Sequence, residues 1–341
     1  RFSLDAPKSM QLVDLDAEKT YADLFKPELT SNVINQFLAK AIYRMLPDLP
    51  SRGKVLHIVV VHTMPQGYGA VYLPGKGMIL MPQVKYAKLI SRNGVWKNGS
   101  DVFFAQSNIL AHELGHAYFD LPDLYDTSET GAGIGAFGLM GSGVWGRKSS
   151  SEKGGATPVH LSAWSKEIIS ACVPQTVDNG TDNFTLPAVY QSSIHAASCG
   201  IYKATTSASE EYFLFENRSS GGYDQGLNYL IKDGSTSNPI GSAYSGGLAV
   251  WHIKDILSSC YGSNNCETQS PKLVDLEEAN DGDLDNALSN GRTTHLFFSG
   301  NNATFDDSST PNSKLDNNSS SGISATSISE VGDNMTLTIS K

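Results

Sequence analysis

The feature that most constrains this chain is the segment His112-Glu-Leu-Gly-His116, which is followed closely by the acidic stretch Asp120 to Asp126. An α-helix repeats about every 3.6 residues, so His112 and His116 lie one turn apart and can direct both imidazoles at a single ion. Glu113 stands beside them. A catalytic zinc ion usually takes three protein ligands and leaves a fourth position for water. A third ligand must therefore come from outside the helix, and the acidic stretch supplies candidates.

A match to this pattern alone also occurs by chance on surface helices that carry two unrelated imidazoles. Here the surrounding sequence favours a buried helix. Ser107 can cap its amino terminus, helix breakers follow at Asp120 and Pro122, and apolar residues recur at helical spacing. These apolar residues are Leu110, Leu114, Ala117 and Tyr118. We therefore predict a buried helix that ends beside a turn carrying the third ligand.

Several blocks of sequence in a fixed order together resemble one known family. The blocks are His112 to Asp126, Gly138 to Trp145, Pro158 to Lys166, Glu211 to Arg218, Gly247 to Ile253 and Val274 to Ala279. They resemble the immune inhibitor A-like metallopeptidases over about residues 100 to 285. The resemblance implies a secreted zinc endopeptidase with a metzincin-like catalytic core that acts on protein or peptide substrates. It also implies that Met140 lies in a turn beneath the histidine ligands.

The chain departs from the family pattern in the acidic turn. The family has a glycine three residues after the second histidine and its third ligand three residues later, whereas this chain has Phe119 there and one extra residue before Asp123. Asp120 stands where a left-handed residue must end the helix, and Asp tolerates that conformation better than most side chains. We therefore predict Asp123, after Pro122 has fixed the backbone, as the third zinc ligand. Asp120 stays the alternative, and Asp126 is expected to support the ligands or to bind calcium.

Such a site can hydrolyse a peptide bond. Zinc lowers the pKa of its bound water to about 7 and polarises the scissile carbonyl. Glu113 is predicted to take the proton of that water and to pass it to the leaving amine. Two alternatives stay open: a catalytically inactive binding or adhesion module that keeps zinc for its structure, and a hydrolase of non-peptide amides or esters. Glu113 argues against the first, because a purely structural site has no use for a carboxylate beside an open coordination position.

A glycine-rich stretch, Gly131 to Gly138, matches the pattern of dinucleotide-binding loops. That fingerprint needs a buried strand before it and a helix opening from it. Here an acidic turn precedes the stretch and more glycines follow it. We therefore reject a nucleotide cofactor.

A second acidic segment, Asn280 to Asn286, clusters the oxygen ligands that calcium prefers. It does not match the spacing of an EF-hand loop. A calcium site and a solvated acidic loop are both compatible with it.

Length, charge and hydropathy set the broad class. The chain has 341 residues, 40% hydrophobic and 18% charged, as expected of a soluble globular protein with two domains. Its net charge of −10 argues against nucleic acid or an anionic membrane as a partner. The sequence contains no apolar stretch of about 18 residues, so no membrane span is predicted. Since the chain begins at Arg1, we expect that an export signal and an inhibitory pro-segment have been removed.

Four cysteines support export of the chain. Cys172 and Cys199 flank a turn-rich region with strand-like segments, and Cys260 and Cys266 flank the short polar loop Tyr261 to Asn265. Two local disulfides are the simplest pairing and predict an extracellular protein. The alternative is a cytosolic protein in which all four cysteines are reduced. The spacing does not suit a four-cysteine zinc site.

The first half of the chain mixes helices and strands. Residues 30 to 46 have helical periodicity, and Val55 to Val61 and Met78 to Met81 are predicted strands. A strand near residues 68 to 81 is expected to bind an extended substrate along its edge. We predict an α+β fold in which residues 1–172 form the metzincin-like catalytic domain, a twisted sheet with helices.

After about Cys172 the sequence changes to short strand-like runs separated by Gly, Ser, Asn and Asp, which predicts an antiparallel, sandwich-like β-rich domain over residues 173–341. The runs are Glu211 to Glu216, Gly247 to Ile253, Thr293 to Phe298 and Met335 to Ile339, and Asn301 to Ser321 is a predicted loop. Most of the remaining histidines are not expected to bind metal. These are His57, His62, His160, His195, His252 and His295.

Overall fold

The computed structural model describes residues 58–61, 71–73, 78–81, 89–92, 95–98, 107–191, 199–232, 239–241, 244–260, 264–280, 282–286 and 289–341. Over these residues the chain is a mixed α and β protein with several sheets and few helices. The predicted helix at residues 30–46 lies outside the described residues, as do His57, His62 and His195. None of the helices in the described part is long and apolar enough to cross a membrane.

The first described strands form two small sheets. The strands are β1 Ile58–Val61, β2 Val71–Leu73, β3 Met78–Met81, β4 Leu89–Arg92 and β5 Val95–Asn98. β3 lies between β1, which runs parallel to it, and β2, which runs antiparallel, while β4 and β5 form a separate antiparallel pair. The predicted strand Met78 to Met81 is confirmed, and the predicted strand Val55 to Val61 is confirmed over Ile58–Val61, since residues 55–57 lie outside the described part of the chain. β2 lies at one edge of the three-stranded sheet.

The helix that carries the two histidines, α1, spans Ser107–Phe119 and lies beside β3 and β2. It ends as predicted, since Asp120 adopts the left-handed conformation with φ of 51°. The backbone N–H of Asp120 donates to the carbonyl of His116 at 3.2 Å, and the N–H of Leu121 donates to the carbonyl of Gly115. Two carbonyls of the last turn are thereby satisfied, and the chain turns back toward the helix.

Residues 121 to 162 form few regular elements, but two parts of this segment, 121–124 and 131–138, are buried. Leu121, Leu124, Ile134, Phe137 and Met140 are fully buried, so these parts and Met140 pack into the core. The helix α2, Ala163–Ile168, follows it. The side chain of Ser162 accepts the N–H of Ser165 and caps the amino terminus of this helix.

The remaining chain forms eight described strands and two short helices. They are β6 Gln175–Thr176, β7 Thr181–Pro187, β8 Ile201–Thr205, β9 Glu211–Asn217, β10 Leu248–Lys254, α3 Leu257–Cys260, β11 Val274–Leu276, α4 Asp283–Asn286, β12 Ser324–Thr326 and β13 Asn334–Ser340. One sheet has the order β11-β10-β9-β8-β6, antiparallel except for the β6–β8 pair, and another has the antiparallel order β12-β13-β7. The predicted runs at 211–216, 247–253 and 335–339 coincide with β9, β10 and β13 within one residue at either end.

The predicted strand at residues 293–298 is wrong. Thr293–His295 forms a 3-10 turn, in which the imidazole Nδ1 of His295 accepts the backbone N–H of Arg292 at 3.3 Å. Only isolated bridges follow, between Phe297 and Leu248 and between Phe298 and Asn302. A side chain that binds the local backbone competes with sheet pairing, and here the local bond prevails. Residues 301–321 contain no regular strand or helix, as predicted.

The five-stranded sheet is buried on both faces because successive side chains of a strand point to opposite sides. Leu214, Trp251 and Ile253 pack in the core that also contains Met140. Phe213, Phe215 and Val250 pack in a second core, with side chains of β7, β12 and β13. The first core takes residues from both sides of the predicted domain boundary at residue 172.

The cysteines pair as predicted, Cys172 with Cys199 and Cys260 with Cys266. Among the described residues no free cysteine occurs. The first bridge ties the segment after α2 to the start of β8. The second closes the short loop between α3 and β11.

Candidate metal centre

Two histidines and one aspartate bring three ligand atoms together at the end of α1. The Nε2 atoms of His112 and His116 lie 3.1 Å apart, and they lie 3.0 Å and 3.2 Å from Oδ1 of Asp123. Zinc bonds of about 2.0–2.1 Å in a tetrahedron place the ligand atoms roughly 3.3–3.4 Å apart. The observed triangle is close to one face of such a tetrahedron.

The second nitrogen of each imidazole determines which nitrogen can bind a cation. Nδ1 of His112 lies 3.0 Å from the carbonyl oxygen of Leu139, and Nδ1 of His116 lies 2.6 Å from that of Leu121. A carbonyl oxygen only accepts, so each Nδ1 carries the proton and each Nε2 keeps its lone pair. Both lone pairs therefore face the space shared with Asp123, which is the arrangement that metal-binding histidines require.

Hydrogen bonds hold Asp123 by one of its two carboxylate oxygens and leave the other oxygen without a donor. Its Oδ2 accepts the phenol of Tyr125 at 3.0 Å and the side-chain amide of Asn264 at 2.6 Å. Its Oδ1 is buried without a hydrogen-bond donor and faces the two imidazoles. A buried carboxylate oxygen of this kind fits a bound cation.

Glu113 lies in a cleft beside this triad. The residue is buried, and its side chain lines a cleft of about 620 Å³ together with His112, Tyr125 and Trp145. Its neighbour Tyr125 stays protonated, because burial and the charge of Asp123 raise the pKa of the phenol. The cleft thus has room for a substrate next to the Glu113 carboxylate and to His112, one of the three candidate ligands.

The other two aspartates of the acidic stretch have different surroundings. Asp120 is exposed at the end of α1 and is not among the residues whose ligand atoms converge. Asp126 accepts five hydrogen bonds, from the N–H and hydroxyl groups of Ser128 and Thr130 and from the N–H of Gly131. Burial by itself would raise the pKa of Asp126, but these hydrogen bonds hold it below its ordinary value. Asp126 therefore shapes the turn that borders the cleft.

Two further groups of histidine and carboxylate side chains bring possible ligand atoms together among the described residues, one with His252 and one with His295. Both ring nitrogens of His252 face carboxylates, Nε2 that of Glu211 at 3.2 Å and Nδ1 that of Glu277 at 3.3 Å. Burial by itself would lower the pKa of His252, but the hydrogen bond and charge of Glu277 hold it above its ordinary value. Nδ1 of His295 accepts the N–H of Arg292, so Nε2 carries the proton, 2.9 Å from Asp283. That neither histidine is a metal ligand stays a prediction.

Met140 lies directly beneath the histidine helix. An added Cβ on Gly115, which stands between the two histidines, would lie 2.7 Å from Sδ of Met140. The backbone around Met140 also contributes, because Leu139 holds His112 and the carbonyl of Met140 accepts the N–H of Leu124 at 2.9 Å. This turn therefore supports α1 by packing and orients one imidazole by a hydrogen bond.

This close approach predicts that Gly115→Ala is destabilising. Replacing a helical glycine by alanine ordinarily gains up to about 1 kcal/mol, but overpacking a buried site costs about 1–3 kcal/mol. We expect a net loss of stability, measured by urea unfolding. Gly154→Ala is the matched control, since its added Cβ meets nothing closer than 3.7 Å. A Gly115→Ala protein more stable than the wild type would contradict this packing.

Sequence reasoning did not find Asn264 or Tyr125, which together hold Oδ2 of Asp123. Asn264 is 141 residues away from Asp123 in the chain, so no local spacing indicates the contact. Only its place between Cys260 and Cys266 pointed to an ordered loop.

A buried ionic network was also missed. Arg218 is fully buried and forms two hydrogen bonds to Asp224, at 2.7 Å and 2.8 Å, and one to Glu216 at 3.1 Å. Glu216 also accepts Lys166 at 2.6 Å and the indole of Trp251 at 3.1 Å. Three of the sequence blocks named above therefore meet at this network. They are Pro158 to Lys166, Glu211 to Arg218 and Gly247 to Ile253.

The network reaches the candidate metal centre through backbone hydrogen bonds. Asp224 accepts the N–H of His160 at 3.2 Å, and the carbonyl of His160 accepts the N–H of Leu139 at 3.1 Å. The carbonyl of Leu139 in turn binds Nδ1 of His112. A buried ion pair thus helps to fix the orientation of one candidate ligand.

Residues 104–173 match the family model described as immune inhibitor A peptidase M6, catalytic domain. No curated protein matches the chain. The matched residues include the whole of α1, the acidic turn, Met140 and α2. Metallopeptidases need a metal ion, and His112, His116 and Asp123 are the candidate ligands that this segment provides. Over residues 104–173 the family match confirms the resemblance, and the segment that carries the candidate metal centre is similar to the catalytic domain of the immune inhibitor A metallopeptidases.

Proposed function

We propose that the chain is a secreted zinc-dependent endopeptidase that binds zinc through His112, His116 and Asp123. The observation that carries the proposal is the convergence of two imidazole lone pairs and one buried carboxylate oxygen within 3.2 Å of one another. Three protein ligands leave a zinc ion with an open position, which a catalytic site needs and a structural site lacks.

Glu113 is the proposed general base and acid. When bound, zinc would supply the Lewis acidity that makes water a nucleophile near neutral pH and polarises the substrate carbonyl. Glu113 takes the proton of the attacking water and delivers it to the nitrogen of the leaving amine. Its burial beside His112 limits competing solvent around the carboxylate.

An extended substrate is proposed to pair with the edge of the first sheet. β2 lies at an edge of its three-stranded sheet and runs beside α1. Main-chain bonding to an edge strand supplies affinity without demanding a particular side chain. Pairing with β2, within the range of residues 68 to 81, therefore suits a protein or peptide substrate.

A metzincin-like catalytic domain over residues 1–172 and a β-rich domain over residues 173–341 stay part of the proposal. Met140 packed under the histidine helix supports the first, and the sheets that follow residue 172 support the second. The buried core that both segments share indicates that the metal centre depends on the second half.

Secretion is supported by the two disulfides, which form and persist in oxidising compartments. Calcium at Asn280 to Asn286 stays a weaker prediction. Two carboxylates of this segment already have cationic partners, Asp283 with Arg292 at 2.8 Å and Asp285 with Lys272.

One assay separates this function from its two alternatives. The purified chain is incubated with casein and with a small ester, each with and without a zinc chelator. We expect cleavage of casein that the chelator abolishes and added zinc restores. Cleavage of the ester alone would favour a different hydrolase. A zinc-loaded chain that cleaves neither substrate would favour the inactive binding module.

A further inference from the structure

Asn264 holds the third candidate ligand from both ends of its side chain. Its amide Nδ2 donates to Oδ2 of Asp123 at 2.6 Å, and its Oδ1 accepts the backbone N–H of Asp123 at 3.3 Å. The orientation of the amide is defined, because a carboxylate oxygen only accepts and an N–H only donates. A third contact joins the same two segments, as the hydroxyl of Thr127 donates to the carbonyl of Asn264 at 3.1 Å.

The position of Asn264 is fixed by a covalent loop. Asn264 lies between Cys260 and Cys266, which are bonded to each other and fully buried in the core beneath the metal centre. The carbonyl of Cys266 accepts the N–H of Leu273 at 3.0 Å, just before β11 begins. The loop is therefore anchored to the edge of the five-stranded sheet.

We propose that Asn264, held by the Cys260–Cys266 bridge, is a positioning residue that makes Asp123 a ligand through a single oxygen. The inference rests on the proposed zinc site. With Oδ2 occupied by Asn264 and Tyr125, only Oδ1 is directed at the imidazoles. Binding through one oxygen keeps a coordination position open for water. The second half of the chain thereby contributes directly to a site whose candidate ligands all lie in the first half.

The backbone of Asn264 allows a clean test. Its φ of 50° lies in the left-handed region, where glycine, asparagine and aspartate are the residues best tolerated. Asn264→Asp keeps the shape of the side chain and the oxygen that accepts the N–H of Asp123. It replaces the amide that donates to Oδ2 of Asp123 by a carboxylate oxygen, so that two carboxylates face each other. Asn264→Gly removes both side-chain bonds and adds no charge.

The experiment measures zinc affinity by chelator competition and the visible spectrum of the cobalt-substituted protein. Residues that orient metal ligands typically contribute about 10–100-fold to metal affinity. We expect a loss in that range for Asn264→Asp, a smaller loss for Asn264→Gly, and a changed cobalt spectrum in both. Asn318→Asp is the matched control, since Asn318 is exposed and also left-handed, with φ of 64°.

The bridge is tested by removing each disulfide in turn. We expect the Cys260→Ser/Cys266→Ser protein to bind zinc more weakly than the Cys172→Ser/Cys199→Ser protein. Adding Asn264→Gly to the first should cost less than it does in the wild type, because the two changes act through one contact. Wild-type affinity and spectrum in both folded Asn264 variants would overturn the proposal. A wild-type chain that binds no zinc would instead overturn the proposed function.

Discussion

Replacing Glu113 by Gln is expected to lower kcat for peptide hydrolysis by about 10²–10⁴-fold, the range that general acid and base catalysis contributes. The amide has the same shape as the carboxylate but cannot accept a proton from water. Because Glu113 is not among the three converging ligands, zinc content and the unfolding transition should be unchanged. The measurements are kcat on a quenched peptide and zinc bound per chain.

Glu129→Gln is the comparison for this variant. Glu129 is exposed and lines the same cleft, so its replacement removes the same charge from the neighbourhood of the substrate. We expect a much smaller loss of kcat from that change. Turnover near the wild-type value in Glu113→Gln would contradict the assigned role. Loss of zinc together with activity would show that Glu113 is a ligand and not the base.

The second large effect is expected on stability, from Arg218→Met. Removing one partner of a buried ion pair leaves uncompensated charge and typically costs about 3–5 kcal/mol. Here the change leaves Asp224 and Glu216 without their guanidinium, in a fully buried site. The free energy of unfolding from urea titration at neutral pH measures the loss. Arg147→Met is the control, because Arg147 is only partly buried, stacks on Tyr229 and has one weak hydrogen bond, an arrangement that is worth about 0.5–1 kcal/mol.

The cost of Arg218→Met should shrink as the pH falls. In the wild type, burial would raise the pKa of Glu216, but the charges of Lys166 and Arg218 hold it below its ordinary value. A depressed carboxyl pKa contributes stability above the unfolded pKa, and that stability is lost on acidification. Without Arg218 this contribution is reduced, so the two stability curves should converge toward acidic pH. A difference that stays constant from neutral to acidic pH would contradict the electrostatic explanation.

The local elements of the candidate site were predictable because they depend on short-range rules. Helical periodicity predicted α1, the left-handed tolerance of Asp predicted its end at Asp120, and alternating apolar runs predicted β9 and β10. Spacing also predicted both disulfides, since each pair of cysteines flanks a short or turn-rich segment. The failure at residues 293–298 came from the bond between the His295 side chain and the backbone of Arg292, which composition does not show.

The amino-acid sequence by itself determined the two histidines on one helix face, the adjacent Glu113 and the acidic turn that follows. Only the tertiary structure decided that Asp123 and not Asp120 faces the imidazoles, that Leu139 and Leu121 set the protonation of both rings, and that Asn264 holds the aspartate. The physical reason is the separation along the chain between the residues that determine each feature. Helix faces and turns follow from neighbouring residues, whereas ligand orientation follows from hydrogen bonds between segments up to 141 residues apart, which form only when the core brings them together.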